Sequence, residues 1–133
     1  RLVTHVGIKM PANCTALGKA LLTKTSFEDM KKIFPEKLST CTKYSITDIN
    51  ILNEQVRNAE IEGYAYENQE FAEQIMCVAV PIVKDGKVMA AVSVSIPSFR
   101  YDDKKLITVK EELKKIKIRA ELLLRNYNGE ILI

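Results

Sequence analysis

The sequence has a single histidine, His5, near its start. A catalytic triad or a histidine-ligated metal site needs the ring beside further functional groups, and His5 offers none. Cysteine is also sparse. Cys14, Cys41 and Cys77 are odd in number, widely spaced and without a Cys-x-x-Cys pair. Neither a disulfide framework nor a zinc site is expected from them. Reduced thiols and a cytoplasmic location are the expectation. No apolar run approaches the roughly 18 residues that cross a bilayer, so no membrane association is expected. Charge of one sign is lacking too: the net +3 is too small to imply a nucleic-acid surface by itself. Internal repeats and low-complexity segments are missing. The chain opens Arg1-Leu2-Val3-Thr4-His5 without an initiator Met. It therefore reads as a piece of a longer protein, whose targeting this start does not reveal.

What is present is ordinary for a globular domain. The 133 residues are 47% apolar and 28% charged, which suggests one domain over residues 1–133 with a sizeable core.

The strongest local pattern runs from Ile75 to Pro97. Two β-branched apolar runs flank Lys84-Asp85-Gly86-Lys87, and Asp-Gly between such runs predicts a β-hairpin. Alternation puts Val92, Val94 and Ile96 on one face of the second arm and Ala91, Ser93 and Ser95 on the other. In the first arm Ile75, Cys77, Ala79 and Pro81 oppose Met76, Val78, Val80 and Ile82. The small, mildly polar face of Cys77, Ala79, Ser93 and Ser95 permits two readings: a pocket lining, or a floor beneath a packed helix. A regular register about Asp85-Gly86 sets Cys77 opposite Val94. A bulge near the turn would set it opposite Ser93 or Ser95.

Arg1 to Ile8 reads as the tail of a strand. Asn13 or Thr15 caps a helix through Leu17, Ala20, Leu21 and Leu22, and Gly18 within it suggests close approach of a backbone or a ligand. Ser26 caps a second helix that ends before Pro35, and 38–46 is a loop. A third helix carries the stripe Ile49, Leu52, Val56, Ala59 and stops at Gly63. Tyr64 to Tyr66 is a short strand, and 67–74 an acidic connection. The last helix runs from about Asp102 to Tyr127 with the stripe Leu106, Val109, Leu113, Ile116, Ala120, Leu123, Tyr127. Its lysines interleave with Glu111 and Glu112, as on a solvated face. Glu130-Ile131-Leu132-Ile133 reads as a disordered tail or a partner-dependent strand. Together these elements make an α+β domain with an antiparallel sheet.

Three segments, in this order, carry a family resemblance: Pro11-Ala12-Asn13-Cys14-Thr15-Ala16-Leu17-Gly18-Lys19-Ala20-Leu21-Leu22; Gly63-Tyr64-Ala65-Tyr66-Glu67-Asn68-Gln69-Glu70; and Cys77-Val78-Ala79-Val80-Pro81-Ile82 with Ala90-Ala91-Val92-Ser93-Val94-Ser95-Ile96-Pro97. From about Ile8 to Tyr127 the chain resembles the C-terminal effector-binding domain of IclR-family bacterial transcription regulators. The resemblance implies a GAF-like fold: a curved antiparallel sheet with helices on both sides and a small-molecule pocket. It also implies an upstream winged helix-turn-helix that binds operator DNA, and assembly into dimers or tetramers. Ligands of the family are usually small catabolic metabolites such as organic, aromatic or sugar acids. The ligand-contacting positions carry over to Ala16, Leu17, Glu67, Cys77, Ser93 and Ser95, with Glu67 at the rim. The chain departs from the family's commoner residues at Asn13 (His), Glu67 (Asp) and Ile96 (Gly). No cofactor, metal or catalytic residue is implied.

The function that the resemblance implies is ligand sensing and oligomerisation within an IclR-type transcription regulator, repressor or activator. Two alternatives stand beside it. One is a purely structural dimerisation module, with the small face packing a partner. The other is an enzyme with Cys77 as nucleophile, which would need a neighbouring base or cation that the sequence does not supply.

Overall fold

A computed structural model describes residues 5–127. The strand expected at the start and the apolar tail 131–133 fall wholly or partly outside these residues. Within them, 5–8 forms a turn rather than a strand. A 3-10 turn at Ala12–Cys14 leads into α1 (Ala16–Leu21), then α2 (Phe27–Ile33) and α3 (Ile49–Glu62). The strands β1 (Ala65–Asn68), β2 (Ile75–Lys84) and β3 (Lys87–Pro97) follow. A second 3-10 turn, Ser98–Arg100, precedes α4 (Asp103–Arg125).

Each helix starts where a short polar side chain meets an orphan backbone N–H. Thr15 caps α1 through Gly18 N, and Ser26 caps α2 through Asp29 N. Asp48 and Asp102 cap α3 and α4. Asn13 is not a cap but a buried side chain that donates to the carbonyls of Ser39 and Ile46. Gly63 ends α3 with φ 92°, a left-handed stop that suits glycine.

The three strands form one antiparallel sheet in the order β1-β2-β3. Asp85 and Gly86 both have positive φ, as a two-residue hairpin turn of this hand requires. The register is not regular. Val83 pairs with Val88 but Ile82 pairs with Ala90, so Met89 is an extra residue in β3. Below this bulge Cys77 faces Ser95, not Val94. The bulge thus overturns the regular register and brings the thiol and the hydroxyl to the same face.

Helices cover both faces of the sheet. On one, Ala16 and Ala20 of α1 meet Ala59, Ala65 and Ala79, so small residues let the backbones approach closely. On the other, Val78, Val80, Ile82 and Ile96 meet Leu113, with Leu106, Val109, Ala120 and Leu124 beside it. A third cluster of Leu22, Met30, Leu38, Leu52 and Val56 joins α2, α3 and the loop after α2.

The expected stripe of α4 drifts. Ile116, Leu123 and Tyr127 are exposed, whereas Leu113, Ala120 and Leu124 pack inward. Steps of three and four average 3.5 residues per turn, and a straight helix of 3.6 rotates off that line by roughly 20° per heptad. The seam therefore passes through Lys117 rather than Ile116. The Lys117 ammonium reaches Glu121 at 2.7 Å and the Pro81 carbonyl.

Candidate functional site

The α1-side face of the sheet is set by two cross-strand rows. Glu67, Cys77 and Ser95 form one, and Ala65, Ala79 and Ser93 form the next. Where all three residues of a row are small, as in the second, α1 packs against the sheet. Where the row is Glu67, Cys77 and Ser95, a cavity of about 280 Å³ lies between sheet and helix. Thr15, Ala16 and Leu17 line it from the start of α1, Phe71 and Ala72 from the β1–β2 connection, and Ile75 from the first position of β2. All six residues expected at a ligand site border this one cavity.

One placement is corrected. Glu67 is not at the rim: β1 runs on through Asn68, so Glu67 lies within the strand opposite Cys77 and is only 3% exposed. Ser95 is the open side. The sequence reading did not reach Met10, Thr15, Phe71, Ala72 or Ile75. Two had a local signal: Thr15 as a candidate cap, and Ile75 as a member of the Cys77 face of the first hairpin arm.

The chemistry of the row follows from burial. The Cys77 thiol and Ser95 hydroxyl lie 3.3 Å apart. Desolvation pushes the thiol up to about 11, the Ser95 bond opposing and the nearby Glu67 carboxylate adding to the rise. Desolvation likewise raises the Glu67 carboxyl above its ordinary range, although the Glu70 N–H donates to it at 2.7 Å. Among the residues lining the cavity there is no lysine, arginine or histidine. Its polar lining is hydroxyls, one thiol and one carboxyl whose ionisation burial disfavours.

A stability consequence follows. A carboxyl raised on folding contributes stability at pH values below its unfolded pKa, about 4, and that contribution is lost as pH rises through the folded value. Glu67→Gln keeps an acceptor for the Glu70 N–H but does not ionise. The thermal midpoint of this variant should fall less than that of the parent from pH 4 upward. Parallel profiles would show that Glu67 ionises freely.

Behind Glu67 stands a second buried group. Lys19, 1% exposed, donates to Glu70 Oε1 at 2.6 Å, Gln55 Oε1 at 2.6 Å and the Tyr66 carbonyl at 3.0 Å. The other Glu70 oxygen accepts from Asn68 N at 2.8 Å. Lys19 does not line the cavity; its ammonium sits among α3, β1 and the β1–β2 connection. The pair holds the β1–β2 connection that forms one cavity wall. Among the described residues no group of three or more potential metal ligands occurs, and no helix is long and apolar enough to cross a membrane.

Fold and cavity together define an α+β domain with an opening of small-molecule size between sheet and helix. The chain belongs to the family of bacterial transcriptional regulator IclR C-terminal domains, whose profile matches residues 1–119. The HTH-type transcriptional regulator KdgR of Dickeya chrysanthemi is 30% identical over 105 residues, covering 77% of this chain and 34% of that protein. The chain thus spans about a third of that relative. The IclR structure from Thermotoga maritima superposes with a TM-score of 0.85 at 28% identity, over 93% of this chain and 51% of that one. A double mutant of the inducer-binding domain of the PobR transcription factor from Acinetobacter was solved as a 3-hydroxybenzoic acid complex. It matches with a TM-score of 0.75 at 26% identity, over 92% of this chain and 69% of that one.

Proposed function

We propose that this domain senses a small catabolic metabolite, a hydroxylated organic or sugar acid. On this reading, ligand binding modulates operator binding by a winged helix-turn-helix domain upstream, in a cytoplasmic regulator. The observation that carries the proposal is the Glu67–Cys77–Ser95 row, open with Ser93 to a cavity capped by Ala16 and Leu17. The 3-hydroxybenzoic acid named in the PobR structure has the same kind of chemistry. Ligand hydroxyls would pair with Ser93, Ser95 and the Cys77 thiol. With no cation in the lining, a ligand carboxylate would draw on the hydroxyl and thiol donors, and Glu67 would accept from a ligand hydroxyl.

The chemistry speaks against an enzyme with Cys77 as nucleophile. A thiol raised to about 11 is protonated at neutral pH, and no histidine or cation lines the cavity to lower it. Oligomerisation has its own support: Ile107, Ile118, Leu122 and Leu123 of α4 are exposed apolar side chains. We assign that face to dimer or tetramer contacts. If oligomerisation were the domain's only role, no small acid would stabilise it.

The test is a thermal-shift screen of hydroxylated aromatic and sugar acids, repeated on Ser93→Ala. A ligand that binds only the native state raises the midpoint by mass action. Ser93→Ala should weaken binding by about 0.5–1.5 kcal/mol, the net worth of a typical hydrogen bond. Folding stability should barely change, because the Ser93 hydroxyl faces the cavity. A stability loss above about 2 kcal/mol would show a structural bond instead.

A further inference from the structure

Two cysteines far apart in the sequence converge on one serine. Cys14, at the end of the 3-10 turn before α1, is fully buried. Its thiol donates to the Ser39 carbonyl at 3.5 Å and to Ser45 Oγ at 3.8 Å. The backbone N–H of Cys41 donates to the same Ser45 Oγ at 2.9 Å. Cys14 Sγ and Cys41 N thus meet at one serine oxygen, which brings the two cysteines within reach of one another, and Cys41 is exposed to solvent. One thiol of the pair is therefore open to small oxidants and the other is shielded behind it.

We propose that Cys14 and Cys41 are a redox pair that closes to an intramolecular disulfide when Cys41 meets a low-molecular-weight disulfide. Cys41 sulfur attacks one sulfur of the reagent. The reagent's S–S bond breaks, and one small thiol leaves with the Cys41 proton. Cys14 sulfur then attacks Cys41 sulfur in the mixed disulfide. The second small thiol leaves with the Cys14 proton. Two electrons have passed from the protein dithiol to the reagent, which becomes two thiols.

The location gives the bond a consequence. The loop that carries Cys41 is tied to the β1–β2 connection by Thr42 Oγ1, which donates to the Gln69 carbonyl at 2.6 Å, and by Ser45 Oγ, which donates to the Glu70 carbonyl at 2.7 Å. A Cys14–Cys41 bond links that loop covalently to the entry of α1, so the two walls of the cavity become tied through the loop, by the disulfide on one side and by these hydrogen bonds on the other. Desolvation, with the Cys14 thiol beside it, pushes the Cys41 thiol up to about 11. Exchange is therefore slow at neutral pH, and the pair stays reduced in a reducing compartment.

The experiment treats the 133-residue chain with oxidised glutathione under mildly alkaline conditions, then alkylates and digests it without reduction. A cross-linked peptide pair containing Cys14 and Cys41, lighter by two hydrogens, is expected. Reversible protection of both from alkylation, with Cys77 left free, should accompany it. Cys14→Ala should instead trap glutathione on Cys41, and Cys41→Ser should leave Cys14 unmodified. The exposed Cys41 site makes the second variant safe for folding even if the first is not. A stable glutathione adduct on Cys41 of the parent chain, no reaction at Cys41, or a cross-link through Cys77 would each overturn the proposal.

Discussion

Lys19→Met is expected to destabilise the domain by about 3–5 kcal/mol, the range for stranding one member of a buried ion pair. The side chain is fully enclosed, and its three acceptors lose their shared donor together. Glu70 would keep only the Asn68 N–H on its other oxygen. The double variant Lys19→Met with Glu70→Gln removes both charges and should recover a large part of the loss. A double-mutant cycle read by urea denaturation gives the coupling, expected above about 1 kcal/mol for groups in one buried network. Additive losses would mean that the pair acts as two independent packing groups. A second consequence reaches the cavity. Glu70 N–H holds Glu67, so a loosened connection should lower ligand affinity even at temperatures where the variant stays folded.

Gly18→Ala carries the opposite sign from helix propensity, which makes it diagnostic. In an open helix the change would stabilise by about 0.5–1 kcal/mol. Here an added Cβ would meet the Ala12 carbonyl oxygen at 2.2 Å and Ala12 Cα at 2.4 Å. Those atoms are backbone and have no rotamer to yield. The 3-10 turn at Ala12–Cys14 would have to move, and with it Thr15 and Ala16 at the cavity wall. A loss at the upper end of the overpacking range, about 3 kcal/mol, is expected by chemical denaturation. Gly18→Ala at or above parental stability would show that the turn moves freely.

Much of the fold is legible residue by residue. Thr15, Ser26 and Asp48 are short polar side chains beside apolar runs, and each caps a helix. Asp85-Gly86 between β-branched runs is a hairpin turn, and the turn has the positive φ values expected of it. The order of the three family segments points to the family to which the chain belongs. The six candidate residues Ala16, Leu17, Glu67, Cys77, Ser93 and Ser95 were reached from motif positions and strand facing, and they border one cavity.

Local signals determine these features because caps, turns and alternation depend on neighbours within a few residues. Tertiary packing decided the rest. The bulge at Met89 shifts the register so that Cys77 faces Ser95, and the residue pattern permitted both registers. The helical stripe moves from Ile116 to Lys117 because α4 lies as a straight helix on a sheet rather than along a coiled-coil seam. Lys19 looks like any surface lysine in the sequence. It is buried because Glu70, Gln55 and the Tyr66 carbonyl, distant along the chain, arrive around it. Glu67 moves from rim to interior because β1 is extended by its pairing with β2. Cys14 and Cys41 likewise meet only through the fold. In each case a charge, thiol or register is fixed by partners remote in sequence, and burial then sets its chemistry.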